Sequence, residues 1–145
     1  MKIMLEKGAV MPTRAHPFDA GLDLYAPQYG YNRDKIHFIS PCGGSVVINT
    51  GVHVQIPEGY VGLIKAKSGL NVNQGITCTG VIDAHYTGSI RVKLYNHDHI
   101  FPYEVHPGDK IAQLVIVPCL LPELEVVDAF PETDRGDGGF GSTGR

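Results

Sequence analysis

Hydrophobic and polar positions alternate with a period of two in several short stretches of the chain. Residues 52–56 read VHVQI, and residues 90–94 read IRVKL. Side chains of a β-strand point alternately to opposite faces, so this period predicts strands with one buried face. Compact apolar runs rich in β-branched residues, at 61–66 and 111–117, predict two further strands.

Turn-forming sequences separate these stretches. Pro-Glu-Gly lies at 57–59, Tyr-Thr-Gly at 86–88 and Pro-Gly-Asp at 107–109. The sequence SGLNVNQG predicts the one short helix, with Ser68 as its N-cap and Gly75 as its stop. Many short strands at this spacing predict an all-β sandwich or barrel with at most one short helix.

Composition and charge narrow the class of protein. The 145 residues suit one domain, and 18 Gly with 10 Pro are typical of a turn-rich chain. A net charge of -3 disfavours a nucleic-acid partner, which would call for a basic surplus. No apolar run approaches the ~20 residues of a membrane span, and the N-terminus lacks the apolar stretch of a secretory signal. We therefore expect a cytoplasmic globular protein with no membrane partner.

The cysteines and histidines predict neither a disulfide framework nor a metal site. Cys42, Cys78 and Cys119 are odd in number and far apart, so we expect buried or half-buried free thiols in a reducing compartment. His97 and His99 could share a strand face, but no third ligand has suitable spacing. A solvated turn is the better interpretation of residues 97–99, which read His-Asp-His.

The C-terminal segment 131–145 differs from the domain at 1–130. It reads PETDRGDGGFGSTGR, with many Gly and no apolar periodicity. One interpretation is a flexible tail. The other is an arm that grips phosphate, since Gly lets backbone N–H groups approach an anion and Arg135, Ser142 and Thr143 add donors. No Lys follows the last Gly, so the segment is not a Walker A loop.

Two other segments contain residues suited to catalysis or ligand contact. In GVIDAHYTGSI, Asp83 is either a turn cap or a general base at the end of a strand. Tyr86 is either a core residue or the floor of a sugar pocket. In GDKIAQL, Gln113 interrupts an apolar run, and a buried Gln needs hydrogen-bond partners. A ligand or a subunit contact could supply them.

Two further segments suit anions and metal ions. In KAKSGL, a cation, a hydroxyl and an approachable N–H at Lys67, Ser68 and Gly69 would suit an anion at a helix start. In DAGLDL, Asp19 and Asp23 are carboxylates around a Gly. One of them could hold Mg²⁺ through water.

Taken in their order along the chain, the five segments resemble the five motifs of the homotrimeric dUTPase family. The resemblance extends from about residue 10 to residue 144. The motifs RGDGGFGSTG and GVIDAHYTG are specific, whereas the second and fourth would be weak alone. The resemblance implies a distorted jelly-roll-like barrel assembled as a C3 homotrimer. It further implies Mg²⁺-assisted attack of water on the α-phosphate of dUTP, which yields dUMP and pyrophosphate. Such a reaction keeps uracil out of DNA and supplies dUMP for dTMP synthesis.

The resemblance also implies roles for individual residues. Asp83 corresponds to the general base, and Asp23 to the carboxylate that holds Mg²⁺ through water, while Asp19 corresponds to a structural residue. Tyr86 corresponds to the ring under the deoxyribose, and Phe140 to the ring that stacks on uracil. The other implied substrate contacts are Lys67, Ser68, Gly69, Thr77, Gly80, Val81, Ile82, Gln113, Arg135, Gly141, Ser142 and Thr143.

Four positions depart from the pattern of the family. Lys67 stands where Arg is usual, which keeps the charge and loses the bidentate fork. Thr77 stands where relatives often have Asn. His85 and Ser89 also differ from their usual counterparts, and neither receives a functional assignment from the sequence.

Two alternative functions belong to other classes. Related dCTP deaminases carry a Glu on the strand after the GxI turn, but this strand reads IRVKLYN with Lys93 at that position. A nucleotide-gated binding protein is the non-enzymatic alternative, as some phage dUTPases are also regulators. Asp83 and the intact C-terminal motif argue against lost catalysis and leave a second function open. A regulatory protein partner is expected if the chain is viral.

Overall fold

The computed structural model describes residues 1–28 and 36–139. Its strands are β1 (Lys2–Leu5), β2 (Gly21–Tyr25), β3 (His37–Ile39), β4 (Gly44–Asn49), β5 (Val52–Gln55), β6 (Tyr60–Lys65), β7 (Ile76–Thr77), β8 (Thr79–Ile82), β9 (Arg91–Asn96), β10 (Tyr103–Val105) and β11 (Lys110–Pro118). The helix among these residues is α1 (Ser68–Gln74). No helix within the two described ranges is long and apolar enough to cross a membrane.

The strands pair in four small antiparallel sheets. The largest has the order β2-β11-β6-β8, and a three-stranded sheet has the order β4-β9-β7. β1 pairs with β5, and β10 pairs with β3. The prediction of an all-β fold with at most one short helix is confirmed. Strand β6 matters most for the site because it pairs with β11 on one side and with β8 on the other.

The alternating stretches bury the faces that their period predicts. On β5, Val52 and Val54 are buried while Gln55 is exposed, and on β9 Val92 and Leu94 are buried. These residues belong to one apolar core, to which most of the other strands also contribute. Since one slip in register would turn each strand's apolar face outward, burial of this face also defines the pairing of the strands.

Helix α1 ends as predicted but begins one residue earlier than expected. Gly75 is the C-cap with a φ of 63°, and its N–H donates to the carbonyl of Asn71. The prediction of Ser68 as N-cap is wrong, because Lys67 is the extended residue before the helix and Ser68 is the first helical residue. The Lys67 side chain does not cap the helix, since its ammonium group is paired with Asp23.

The three cysteines are free thiols in different surroundings. Cys78 is buried, and desolvation raises the pKa of its thiol to about 11. Cys119 is half-buried. Cys42 is exposed, against the expectation of burial, because it lies in the turn between β3 and β4 with a φ of 58° rather than on a sheet face.

The His97–His99 segment forms the predicted turn. The carboxylate of Asp98 accepts hydrogen bonds from the backbone N–H groups of Ile100 and Phe101, both at 2.7 Å. These two bonds lower the pKa of Asp98.

The chain is irregular after β11. Residues 119–139 contain neither helix nor strand, and almost all of them are exposed. Leu124 and Val126 are 95% and 98% exposed. The part of the Gly-rich segment that the structure describes, 131–139, includes a turn in which the N–H of Gly136 donates to the carbonyl of Thr133. The division of the chain at residue 130 stays a prediction.

Candidate functional site

A buried carboxylate between two lysines forms a charged cluster beside the largest sheet. Asp23 on β2 is 6% exposed. Its Oδ1 lies 2.5 Å from Lys67 Nζ, and its Oδ2 lies 2.8 Å from Lys110 Nζ. The second contact is an ion pair, since Oδ2 receives no well-aligned hydrogen bond. Desolvation alone would raise the pKa of Asp23, but the close contacts and positive charges of the two lysines outweigh it and lower the pKa.

Lys110 is a residue of this cluster that the sequence did not single out. It begins β11, where register places it opposite Tyr25 of β2 and its ammonium group 5.9 Å from the centre of that ring. Its close contact with the carboxylate of Asp23 raises the pKa of its ammonium group. A lone Lys after a turn carries little signal in a sequence. The pairing of β11 with β2 is what brings it to the carboxylate.

Gln113 holds the loop that carries Lys67. Its Nε2 donates to the carbonyl of Ala66 at 3.0 Å, which supplies one partner that its position in an apolar run requires. Its Oε1 lies against Gly21, where any Cβ would clash with it. The fold therefore brings the predicted residues Asp23, Lys67 and Gln113 to one end of the large sheet.

Tyr86 lies flat on its own turn. Its hydroxyl donates to the carbonyl of Ser89 at 3.1 Å, and a Cβ at Gly88 would fall within 2.5 Å of the hydroxyl oxygen. Ser89 in turn donates through Oγ to Asn49 Oδ1 at 2.5 Å, which anchors the turn to the end of β4. Ser89, for which the sequence offered no role, thus holds Tyr86 in place.

Asp83 follows the last residue of β8 at the edge of a cavity of about 420 Å³. Its carboxylate is exposed and makes no hydrogen bond with the described residues. His85 and Glu58 line the same cavity and lie 3.7 Å apart, and Cys119 and Tyr60 are among the other residues that line it. An unpaired carboxylate beside a space that admits water can act as a general base.

The two groups of candidate residues lie at opposite ends of β6. Residues 79–82 of β8 run antiparallel against residues 65–62 of β6. Lys67 lies two residues beyond one end of this ladder, and Asp83 lies one residue beyond the other. At about 3.3 Å per residue, roughly 20 Å separate them along the strand. One copy of the chain therefore does not bring the candidate base and the lysine cluster together.

The substrate contacts that the resemblance implies at residues 77–82 lie on β7 and β8. These strands do not form a hairpin with each other, because β7 pairs with β9 and β8 pairs with β6. Thr77 Oγ1 lies 2.7 Å from Nε2 of His97, a partner that the sequence analysis did not identify. On β8, Val81 is exposed and Ile82 is buried, so this strand has one open face. A Cβ at Gly80 would contact Ile64 at 3.4 Å.

The remaining predicted contacts are exposed or lie outside the described residues. Ser68 and Gly69 are exposed, and a Cβ at Gly69 would meet nothing within 4 Å, so the packing of this chain does not require Gly there. Arg135 is exposed and donates through Nε to the carbonyl of Gly138 at 3.1 Å. Phe140, Gly141, Ser142 and Thr143 lie outside the described residues.

The residues present fit a water-mediated Mg²⁺ contact rather than a protein cage. No group of three potential ligands is found within residues 1–28 and 36–139. Asp23 is an ionised carboxylate with one oxygen that lacks an aligned hydrogen bond. Mg²⁺ typically keeps several waters and binds one or two carboxylates plus substrate phosphates. Asp19 serves the turn before β2, because its Oδ2 accepts a hydrogen bond from the N–H of His16 at 2.9 Å.

Comparison with known sequences finds one family. A family model described as dUTPase matches residues 7–144. The deoxyuridine 5'-triphosphate nucleotidohydrolase of Nocardia farcinica is 42% identical over 143 residues, with 97% of this chain and 82% of that protein covered. The protein of the same name from Mycobacterium leprae is 42% identical over 150 residues, with 98% and 92% covered.

Solved structures show the same similarity. The dUTPase of Staphylococcus bacteriophage 80alpha with dUpNHpp has a TM-score of 0.86 and 34% identity, and the match covers 99% of this chain and 98% of that chain. A mutant dUTPase from phage phi11 of S. aureus, whose structure reveals the coordination of a structural Mg(II) ion, has a TM-score of 0.76 and 33% identity. That match covers 89% of this chain and 97% of the other.

Proposed function

The chain belongs to the dUTPase family, and from that membership we propose that it hydrolyses dUTP to dUMP and pyrophosphate. This reaction would keep uracil out of DNA and supply dUMP for dTMP synthesis. A pyrophosphate-release assay with dUTP and the four standard deoxynucleotides tests the activity. We expect release from dUTP alone, whereas ammonia release from dCTP would point to a deaminase.

In the proposed mechanism, Asp83 is the general base that orients the attacking water. Hydrolysis at the α-phosphate needs a water in line with the leaving pyrophosphate and a carboxylate beside it. The exposed carboxylate of Asp83 borders the cavity of about 420 Å³ and makes no hydrogen bond with the described residues, so its lone pairs are available to a water.

The triphosphate would bind at the lysine cluster. Lys67 and Lys110 supply two positive charges, and Asp23 holds both ammonium groups at one place. Ser68 and Gly69 would add a hydroxyl and a backbone N–H. Mg²⁺ would neutralise further charge on the phosphates, and Asp23 would hold it through water. Positively charged donors at a site of developing negative charge stabilise the transition state by several kcal/mol, typically about 3 for one donor.

Strand β8 and the turn after it would recognise the base and the sugar. The backbone of residues 80–82 would pair with uracil, with Thr77 at its edge. Such a site rejects cytosine because reversed donors leave buried groups unpaired. The ring of Tyr86 would lie under the deoxyribose and exclude a 2'-hydroxyl. The arm of residues 131–145, attached to the domain of residues 1–130, would close over the nucleotide with Phe140 on uracil and Arg135 on phosphate.

The separation of Asp83 from Lys67 is the observation that supports an oligomeric assembly. Because roughly 20 Å of strand lies between them in one chain, a complete site needs Asp83 from one copy and Lys67 from another. We propose a C3 homotrimer in which each site takes the segment of Asp83 from one chain, the segments of Lys67 and Gln113 from a second, and the C-terminal arm from a third.

Mixed trimers test this arrangement. Asp83→Asn and Lys67→Met each inactivate the sites of a uniform trimer. When equal amounts of the two variants are unfolded and reassembled together, about a quarter of the sites should combine an intact Asp83 with an intact Lys67. Activity should therefore rise to about a quarter of the wild-type value.

Each variant reassembled alone is the control for this experiment, and both should stay inactive. If the mixture also stays inactive while mass measurement shows mixed trimers, the two residues act within one chain and the shared site is wrong. A monomer in sedimentation at micromolar protein would contradict the trimer itself.

A second function is proposed only as an addition to catalysis. The 80alpha dUTPase, to which this fold is similar with a TM-score of 0.86, is described as one of the phage dUTPases that control transfer of virulence genes. If this chain is phage-encoded, it would act in the host cytoplasm and bind a regulatory protein. A pull-down with and without dUpNHpp tests this, and nucleotide-dependent capture of a specific protein is the expected result.

A further inference from the structure

His53 joins two parts of the molecule through both nitrogens of its ring. It lies on β5 with 16% of its side chain exposed. Its Nδ1 is 2.8 Å from the carbonyl oxygen of Thr87, and its Nε2 is 2.9 Å from Oε1 of Glu6. Thr87 belongs to the turn that begins at Asp83, and Glu6 follows the end of β1. A side chain outside the candidate site therefore ties the turn of the site to the first strand pair.

The two partners determine the protonation of the ring. A backbone carbonyl can only accept a hydrogen bond, and an ionised carboxylate can only accept one. Both ring nitrogens must therefore donate, which only the positively charged imidazolium can do. The bond to Thr87 and then the bond to Glu6 are the main reasons why the pKa of His53 lies above its usual value of 6.5. A neutral ring would keep one of the two bonds at most.

The fold holds the carboxylate end of this link in place. The N–H of Glu6 donates to the carbonyl of Gly51 at 2.8 Å. Gly51 has a φ of 68°, and a Cβ there would come within 3.2 Å of the Glu6 Cβ and 3.0 Å of the Ala9 Cβ. Because the backbone at Glu6 is fixed from both sides, a change at His53 moves the turn rather than the strand.

We propose that His53 is a positioning residue that, as an imidazolium, holds the turn of residues 83–88 in its working position. The effect on turnover rests on the proposed roles of Asp83 and Tyr86 in dUTP hydrolysis. The link is complete at low pH and is lost as the pH rises through the pKa of His53, which lies above 6.5. Its contribution to stability has the same sign, present in full below 6.5 and lost above the raised pKa.

Glu6 is the charged side chain that lies directly against the ring of His53. Within the described part of the chain, Glu6 is the one charged side chain at ion-pair distance from His53. The other charged or titratable side chains on the strands and the turn near it are Lys2, Lys7, Asp83, His85, Tyr86 and Arg91. Titration of the ring therefore reports on its bonds to Thr87 and Glu6 rather than on a more distant charge.

Nuclear magnetic resonance tests the state of the ring without any assay of activity. The imidazole nitrogen shifts of His53 should show two protonated nitrogens at pH 6.5 and the loss of one proton at higher pH. Amide hydrogen exchange of residues 84–89 should speed up over the same pH range. A ring that is neutral at pH 6.5, or exchange that ignores its titration, would overturn the proposal even if dUTP hydrolysis is confirmed.

Two variants test the effect of the His53 link on turnover. Glu6→Gln can donate from its amide to a neutral Nε2, so it keeps the link at any protonation state of the ring. Its kcat/KM should reach the wild-type plateau and lack the alkaline decline at the pKa of His53. His53→Gln reaches one acceptor only, so its kcat should be lower by about 10-fold to 100-fold with no such decline.

The control variant is His106→Gln. His106 also faces a carboxylate, Glu104, at 3.4 Å, but it is an exposed residue that directly follows β10, a strand that pairs with β3. Its pH profile should match that of the wild type. If His53→Gln does not fold, Glu6→Gln still decides, because an unchanged alkaline decline in that variant would show that the link has no part in turnover.

Discussion

The ring of Tyr86 covers the α-carbon of Gly88, so closely that a Cβ at residue 88 would lie 2.5 Å from the tyrosine hydroxyl oxygen. That hydroxyl donates to the carbonyl of Ser89 at the end of the same turn. The glycine of the Tyr-Thr-Gly sequence is therefore required by the ring two residues before it.

Gly88→Ala should displace the ring of Tyr86 and weaken the rejection of UTP. One changed contact in a pocket typically alters discrimination by about 10-fold or more, so the ratio of kcat/KM for dUTP and UTP should fall by about that factor. Tyr86→Phe is the matched control, since it keeps the ring and loses only the bond to Ser89. Unchanged selectivity in Gly88→Ala would place the sugar check elsewhere.

Asp83→Asn should lower turnover by about 10²-fold to 10⁴-fold, the usual contribution of a general base. Binding of dUpNHpp should remain within a few fold of wild type, because the substitution removes one charge and little volume. Steady-state kinetics and calorimetric titration measure the two quantities. His85→Gln, in the same cavity, is the comparison variant. A loss of turnover of less than tenfold in Asp83→Asn would exclude Asp83 as the base.

Asp23→Asn should reduce the free energy of unfolding at pH 7 by about 1–3 kcal/mol, since two lysines lose their partner. The folded-state pKa of Asp23 lies below the usual value of 3.8 for Asp. The ionised carboxylate therefore contributes stability above pH 3.8 that is lost as the pH falls through the lowered pKa. The difference between wild type and variant should narrow in that range.

Urea denaturation at one fixed protein concentration measures this difference, because assembly couples stability to concentration. Asp19→Asn is the control, as that exposed carboxylate has no lysine partner among the described residues and its amide can still accept the bond from His16. A pH-independent difference between Asp23→Asn and wild type would mean that the ion pairs are not its cause.

Deletion of all residues after Glu132 should leave the trimer and its Tm nearly unchanged while kcat falls by orders of magnitude. The removed segment lacks the apolar surface to offset the ~1–2 kcal/mol per residue that ordering costs. Its proposed work is done on the closed complex, so turnover should suffer more than substrate binding. The kcat of Phe140→Ala should lie between those of the wild type and the deletion, because this variant loses ~1–3 kcal/mol of stacking on the base. Truncation that melts the trimer and spares the rate would make the segment a structural strap.

The sequence by itself predicted four strands of the core, which are β5, β6, β9 and β11, together with the short helix up to Gly75 and the segments that carry the candidate residues. These features are local: alternation of side chains, turn residues and a glycine stop act within a few positions of the chain. The roles of individual residues came from the resemblance, which reads short motifs without their surroundings.

Contacts between distant residues were decided only by the tertiary structure. Lys110 joins Asp23 because β11 pairs with β2, and His53 reaches Thr87 across 34 positions of the chain. Likewise, only the register of β6 with β8 places Lys67 and Asp83 at opposite ends of a strand. Strand pairing is set by burial of the whole core rather than by any one segment, so no local pattern could reveal these relationships.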